Sequence, residues 1–431
     1  MEKNTLTSSS GNTSNLIRFI LGAAGAILFF ALLYQLPAVN SRLAWRFDAA
    51  STRIRMFFNP IGEMPTPEYA AVVPTHAVTL QTSIPKNPSA TPQTATAVPT
   101  VVNTVPPSPT PTPVPDRVVL EPPDYERQDW NSCGPVALSM YLNYYDWGGD
   151  QYDISDQIKT IKADRNVNID ELIYYVASNV GWLNAIYRVD GNLEMLQQFI
   201  AAGIPVVVEE SFLLNEKYWN NDDLWSGHYR LVTGYDMTTE IFIVQDSFVG
   251  PDQIVTFEQL DRNWQAFNRV FLLIYRPEDE YRVTEILGED WDVDVNRQNA
   301  LQTAKLETET DPENAFSWFN LGTNLTYFQE YSAAATAFDT ARELELPQRM
   351  LRYQFGPFLA YFHANRNQDL LSITEYALKV TANSEEALLW RGWALFRNGN
   401  REEAMASFNA ALDARPGYPD AVYAINYLLT N

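Results

Sequence analysis

What this chain lacks narrows it first. It has one cysteine in 431 residues, Cys133, so no disulfide can form within it, and cysteine usage marks no compartment. Its three histidines, His76, His228 and His363, lie far apart without ligand-like spacing, so neither a metal site nor a cofactor is expected. Positive charge is scarce. With 30 Lys and Arg against 53 Asp and Glu, the net charge is -23 and the pI near 4.5, which argues against nucleic acid or an acidic polymer as partner. No phosphate-binding loop is present.

What is there changes character along the chain. Residues 1–15 form a polar tail rich in Ser, Thr and Asn. Residues 16–37 are almost wholly apolar, and a run of about 20 such residues predicts a transmembrane helix. Residues 38–59 mix Arg42, Arg46, Arg53 and Arg55 with Trp45, Phe47, Ile54, Phe57 and Phe58, the composition of an amphipathic juxtamembrane segment. A plain count of these arginines places the rest of the chain in the cytoplasm. Residues 60–117 are rich in Pro, Thr and Ser and poor in large apolar residues, which predicts a semi-extended, disordered stalk. Such a stalk suits a single-pass protein of the cell membrane whose remaining domains lie outside the cytoplasm.

The chemistry concentrates at Gln128-Asp129-Trp130-Asn131-Ser132-Cys133-Gly134-Pro135. A helical apolar pattern starts directly behind it, and Pro135 suits a first helical turn, where its missing N–H costs nothing. Cys133 therefore sits at a helix N-terminus, whose free N–H groups and dipole favour thiolate over thiol. Downstream, His228 opens a strand-like run, and a second run, Ile241 to Gln245, ends at Asp246. Met237-Thr238-Thr239-Glu240 between them predicts an antiparallel hairpin that brings His228 beside Asp246. A thiol, an imidazole and an orienting carboxylate make a nucleophile–base–orienter set.

Those motifs, Gln…Cys-Gly-Pro, then Gly-His-Tyr with Gly-Tyr-Asp beyond it, then Asp at a strand end, resemble the C-39-like peptidases of the papain-like cysteine peptidase superfamily over roughly residues 118–278. The resemblance implies Cys133 as nucleophile, His228 as general base and acid, Asp246 as orienter and Gln128 as oxyanion donor. It also implies an α+β fold with the cysteine on the helical side of a cleft and the histidine and aspartate on the sheet side. Two departures stand out. Many members have one more residue between Gln and Cys, and many have Asp-Pro where this chain has Asp246-Ser247. The long segment before His228 carries Tyr218, Trp219 and Trp225, read as a lid or substrate-binding loop over a peptidase domain at 118–285.

From about Asn296 the spacing changes. Gly322, Ala334, Phe338 and Ala341 recur as Gly392, Ala404, Phe408 and Ala411, and resemble tetratricopeptide repeats. A degenerate copy fits between Gly356 and Ala382, and a closing helix fits from Pro419 to Leu429. An all-α repeat domain at 286–431 that binds a peptide or protein segment follows from the resemblance. The function expected is a membrane-anchored cysteine peptidase with a peptide or protein substrate. Two alternatives stay open: a non-catalytic, membrane-tethered peptide-binding adaptor, and transglutaminase-like acyl transfer.

Overall fold

A computed structural model describes residues 11–34, 36–68, 114–159 and 166–430. Two helices come first, α1 (Gly11–Tyr34) and α2 (Pro37–Phe58). Among the described residues no helix is long and apolar enough to cross a membrane. The expected span at 16–37 therefore needs correction: α1 ends at Tyr34, a turn closes from Val39 N–H to the Leu36 carbonyl, and Pro37 starts α2. The Tyr34 and Phe47 rings then meet edge to face at 5.1 Å. Most of the expected stalk, and the tail at 1–10, lie outside the described residues. The described start of the stalk is partly packed on the protein. Ile61 is buried, and residues 59–68 run along the helices of the C-terminal half.

Next come β1 (Arg117–Val119), α3 (Cys133–Asn143), α4 (Gln151–Ile158), α5 (Ile169–Asn179), β2 (Asn184–Arg188), α6 (Leu193–Ala201), β3 (Val206–Leu213), β4 (Trp225–Asp236), β5 (Ile241–Asp246), β6 (Gly250–Thr256), α7 (Phe257–Gln265) and β7 (Phe271–Tyr275). The strands form one antiparallel sheet in the order β2-β7-β3-β4-β5-β6, with β1 also pairing β4. Helices precede most of the sheet in the chain, so the result is a mixed α/β domain. β3, Val206–Leu213, has apolar residues on both faces at its start and is buried on both. One side of the sheet packs on α3, α4 and α5 through Val136, Tyr141, Leu172, Val207 and Leu231. The other packs on α6 and α7 through Phe199, Val208, Val232, Phe242 and Trp264.

The rest is helical: α8 (Glu280–Leu287), α9 (Val293–Thr310), α10 (Ala315–Tyr327), α11 (Tyr331–Glu343), α12 (Met350–Tyr353), α13 (Gly356–His363), α14 (Asn367–Val380), α15 (Glu385–Arg397), α16 (Arg401–Ala414) and α17 (Pro419–Thr430). The repeated Gly–Phe spacing has a steric cause. A Cβ at Gly322 would stand 2.7 Å from the Phe338 ring, and a Cβ at Gly392 would overlap the Phe408 ring, so glycine on one helix admits phenylalanine from the next.

The helical half is not a separate bead. One continuous apolar cluster runs from α3 and α5 through Trp225 and Phe267 to Phe319, Phe338 and Met350. Trp225 stacks on Phe267 at 5.9 Å with an 8° interplanar angle. Asn268 Nδ2 donates to Asn324 Oδ1 at 2.9 Å across the same junction.

Candidate active site

Cys133 is the first residue of α3, and its side chain is half-buried. The loop before it is shaped by two side chains from the following helix region. Gln151 accepts from Asp129 N–H (2.8 Å) and donates to the Arg127 carbonyl (2.9 Å) and to Glu126 (2.9 Å). Lys159 Nζ donates to the Trp130 and Asn131 carbonyls at 3.0 and 2.9 Å. Asn131 has a φ of 53°, a left-handed turn that asparagine tolerates well. Loop and helix start are thus fixed from outside.

His228 lies on β4 and Asp246 at the end of β5. The two strands pair antiparallel, Leu231 against Gln245 and Asp236 against Ile241, with a register shift between Val232 and Gly234. His228 Nε2 stands 2.9 Å from Asp246 Oδ1. The other ring nitrogen, Nδ1, is left free of Asp246, and the Cys133 thiol is close enough to His228 to feel its charge. Burial pushes the Cys133 thiol up, but the His228 ring, its charge, and backbone hydrogen bonds from Tyr229 and Gly134 outweigh it, so the thiol sits below its ordinary value. Burial works against a charged His228, yet Asp246 and the Cys133 sulfur raise it to about 9. Asp246 is raised by burial but held well below the usual carboxylate range by His228, Arg230 and the Val249 N–H. Cys133, His228 and Asp246 therefore share one corner, with the ring between a lowered thiol and a lowered carboxyl.

Gln128 is tied to the same corner. Its backbone N–H donates to the Ser247 carbonyl at 3.0 Å, and Ser247 Oγ donates to Gln128 Oε1 at 2.8 Å. With the amide oxygen occupied, its NH2 group is the end left to face a ligand. Ser247, directly after Asp246, thus holds the glutamine amide by its oxygen.

Several residues here escaped the sequence reading. Arg230 Nε donates to Asp246 Oδ2 at 2.8 Å, and its Nη1 lies 2.5 Å from Glu210 Oε1. Its place two residues after His228 on one strand face was a readable signal. Glu210 pairs across the sheet with His228, and burial raises it to about 7 against the pull of Arg230. Glu209, on the opposite face beside Tyr229, is raised by burial to about 8. Phe212 packs on the His228 ring at 5.0 Å and on Phe248 at 5.6 Å. Such contacts depend on strand register and leave no local mark.

The expected lid residues need correction. Trp219 and Trp225 are buried, at 6% and 7% exposure. Trp219 donates from Nε1 to Gln348 Oε1 at 2.7 Å, and the Arg349 guanidinium stands 4.2 Å over its ring. Half-buried Tyr218 lies near the same guanidinium, at 5.8 Å. All three face the helical repeats. Long aromatic loops bury apolar area wherever a neighbour offers it, and here that neighbour lies further down the chain. Among the described residues no group of three or more His, Cys, Asp or Glu can hold a metal ion.

The fold and this corner define a mixed α/β domain of peptidase-like build followed by helical repeats. Residues 119–271 match the model of the Peptidase_C39 like family, and residues 385–418 match that of the tetratricopeptide repeat. Comparison with curated proteins gave no match. Solved structures similar to parts of the chain include a C39-like peptidase from Bacillus anthracis, at 18% identity and a TM-score of 0.30, covering 37% of this chain and 98% of that one. Another is YrrB, a tetratricopeptide-repeat protein with an unusual peptide-binding site, at 20% identity and 0.28, covering 31% of this chain and 68% of that one. A third is MamA from Desulfovibrio magneticus RS-1, at 14% identity and 0.29, covering 36% of this chain and 81% of that one.

Proposed function

We propose that this protein is a cysteine peptidase that hydrolyses a peptide or related amide bond. The observation that carries the reading is the His228 ring held by Asp246 at 2.9 Å beside Cys133, whose thiol at the helix start is lowered by that ring. The Cys133 thiolate attacks the carbonyl carbon, and the oxygen takes the charge between backbone N–H groups at the start of α3 and the Gln128 amide. The C–N bond breaks as His228 delivers its proton to the leaving amine, which leaves a thioester on Cys133. His228 then takes a proton from water, whose oxygen displaces the sulfur and releases the acid. Asp246 holds the ring in the tautomer this cycle needs. Phe248, Val249 and Leu213 are exposed beside this corner and offer an apolar rim for substrate side chains.

The repeats bind a protein segment in a cleft of about 400 Å³ lined by Phe362, Trp390, Trp393, Phe396, Tyr423 and Tyr427, with Arg397 and Asp420 for polar contacts. Attachment to the cell membrane is part of the proposal, through the apolar side chains Phe19, Ile20, Leu21, Phe29 and Phe30 that α1 exposes. The peptidase and repeat regions then lie on the extracytoplasmic side. Protease accessibility in intact cells tests that placement: full protection of residues 114–431 would reverse it.

The decisive experiment is Cys133→Ala in the full chain, with hydrolysis of a peptide library read by mass spectrometry. Loss of all cleavage with an unchanged thermal melt is expected. Cleavage equal to the parent would overturn the reading.

A further inference from the structure

The segment from Thr52 to Glu68 is fastened to the repeats at several points along it. Thr52 and Met56, one helical turn apart on α2, are buried, and Arg55 Nη2 donates to the Val380 carbonyl at the end of α14 at 3.3 Å. Beyond Phe58 the chain has no helix or strand through Glu68, and Ile61 is buried. Arg342 Nη2 on α11 donates to the Pro65 carbonyl, and Glu68 N–H donates to Asp369 Oδ1 on α14 at 2.9 Å. These partners are themselves buried charges. Arg342 and Asp369 are 3.5 Å apart, and Arg366 bridges Asp339 and Asp369 beside them. The segment's backbone thus completes hydrogen bonding that buried charges would otherwise lack.

The chain re-enters the same body on the far side of residues 69–113. The Pro115 carbonyl accepts from Tyr235 Oη at 2.8 Å, the Asp116 carbonyl accepts from Met237 N–H at 2.8 Å, and β1 joins β4. Both ends of residues 69–113 are therefore tied to one body, an arrangement unlike a spacer that holds a domain away from its anchor.

We infer that Thr52–Glu68 is a built-in ligand of the α11–α14 face of the repeats, and that it holds α1 and α2 on the body without help from the covalent link through 69–113. Cutting the Pro-, Thr- and Ser-rich stretch then leaves enzyme and N-terminal helices together. The same face is closed to other partners, in contrast to the aromatic cleft on α15 and α17. This inference does not depend on the peptidase reading, since its readout is association.

The test uses the full chain in detergent with a site-specific protease sequence inserted between residues 69 and 113. After cleavage, the two fragments are run on size exclusion at micromolar concentration. Co-elution is expected. Met56→Asp and Ile61→Asp, both on the segment and outside the body, should each weaken the association on the order of tenfold or more. Thermal melts of the uncut variants separate lost docking from a body that no longer folds. Separation of the cut parental fragments, or variants that co-elute as tightly as the parent, would overturn the inference.

Discussion

Arg349 and Asp222 form a two-pronged ion pair, Nη1 to Oδ1 and Nη2 to Oδ2, both at 2.6 Å, between the repeats and the loop that leads into β4. Both side chains are buried, and Arg349 also donates to the Trp225 carbonyl at 3.0 Å, three residues before His228. The repeats thus brace the root of the strand that carries the imidazole. Burial pushes Asp222 up, but Arg349 and the N–H groups of Tyr218 and Leu224 hold it below the usual carboxylate value.

Arg349→Met leaves a buried carboxylate without its counter-charge, a loss of about 3–5 kcal/mol for a pair of this kind. Chemical denaturation should show that drop, and adding Asp222→Asn should recover part of it. The single variant should also slow hydrolysis at temperatures where it remains folded, because the start of β4 loses its brace. An unchanged midpoint would mean that the pair contributes nothing net.

The thiol and imidazole set the working pH range. Cys133 is lowered and His228 is raised to about 9, so a thiolate beside an imidazolium is the expected form from below the ordinary thiol range up to about pH 9. kcat/KM should rise with a midpoint below the ordinary thiol range and fall near pH 9 as the ring loses its proton, the two limbs belonging to the coupled pair. Iodoacetamide labelling of Cys133 should follow the rising limb alone. A single labelling midpoint at an ordinary thiol value would contradict the pairing.

Ser247 acts through Gln128. Removing the amide donor by Gln128→Ala should reduce kcat about 10²-fold, the scale of losing one oxyanion donor. Ser247→Ala leaves the amide in place but unanchored, so a smaller loss in kcat at unchanged KM is expected. The double variant should be no worse than Gln128→Ala alone. Full additivity would show that the two act separately.

Glu209 is buried and raised to about 8 from an unfolded value near 4.5. Below pH 4.5 it is neutral whether folded or not. As pH rises, the unfolded chain ionises first, the folded state binds the extra proton, and stability falls until about pH 8. Glu209→Gln removes that loss. Its advantage over the parent should grow by at most roughly 1.4 kcal/mol per pH unit between those limits and then level off. A difference independent of pH would place the carboxyl in a wetter site.

The pieces of chemistry were legible without coordinates because they are local. Pro135 and the apolar spacing behind it set a helix start at Cys133, and alternation on either side of Met237 to Glu240 set the hairpin. The repeated Gly–Phe spacing marked the repeats for a similar reason: a missing Cβ on one helix and a ring on the next are a fixed distance apart in the chain. What Trp219 and Trp225 touch was not legible, since their partners, Gln348, Arg349 and Tyr353, lie more than a hundred residues further on. Composition likewise averaged Ile61 and the residues around Pro65 into a stalk, although a few well-placed contacts fasten them to the repeats.

By itself, then, the sequence determined that a helix starts at Cys133 and that His228 and Asp246 ride on paired strands, because helix starts, strand alternation and turn chemistry are settled within a few neighbours. Only the tertiary structure decided that Ser247 aims Gln128, that Arg230 and Glu210 stand behind Asp246, and that the repeats grip both the loop before His228 and the segment after α2. Those pairings are set by packing between distant parts of one core, where the groups that meet are chosen by shape and burial.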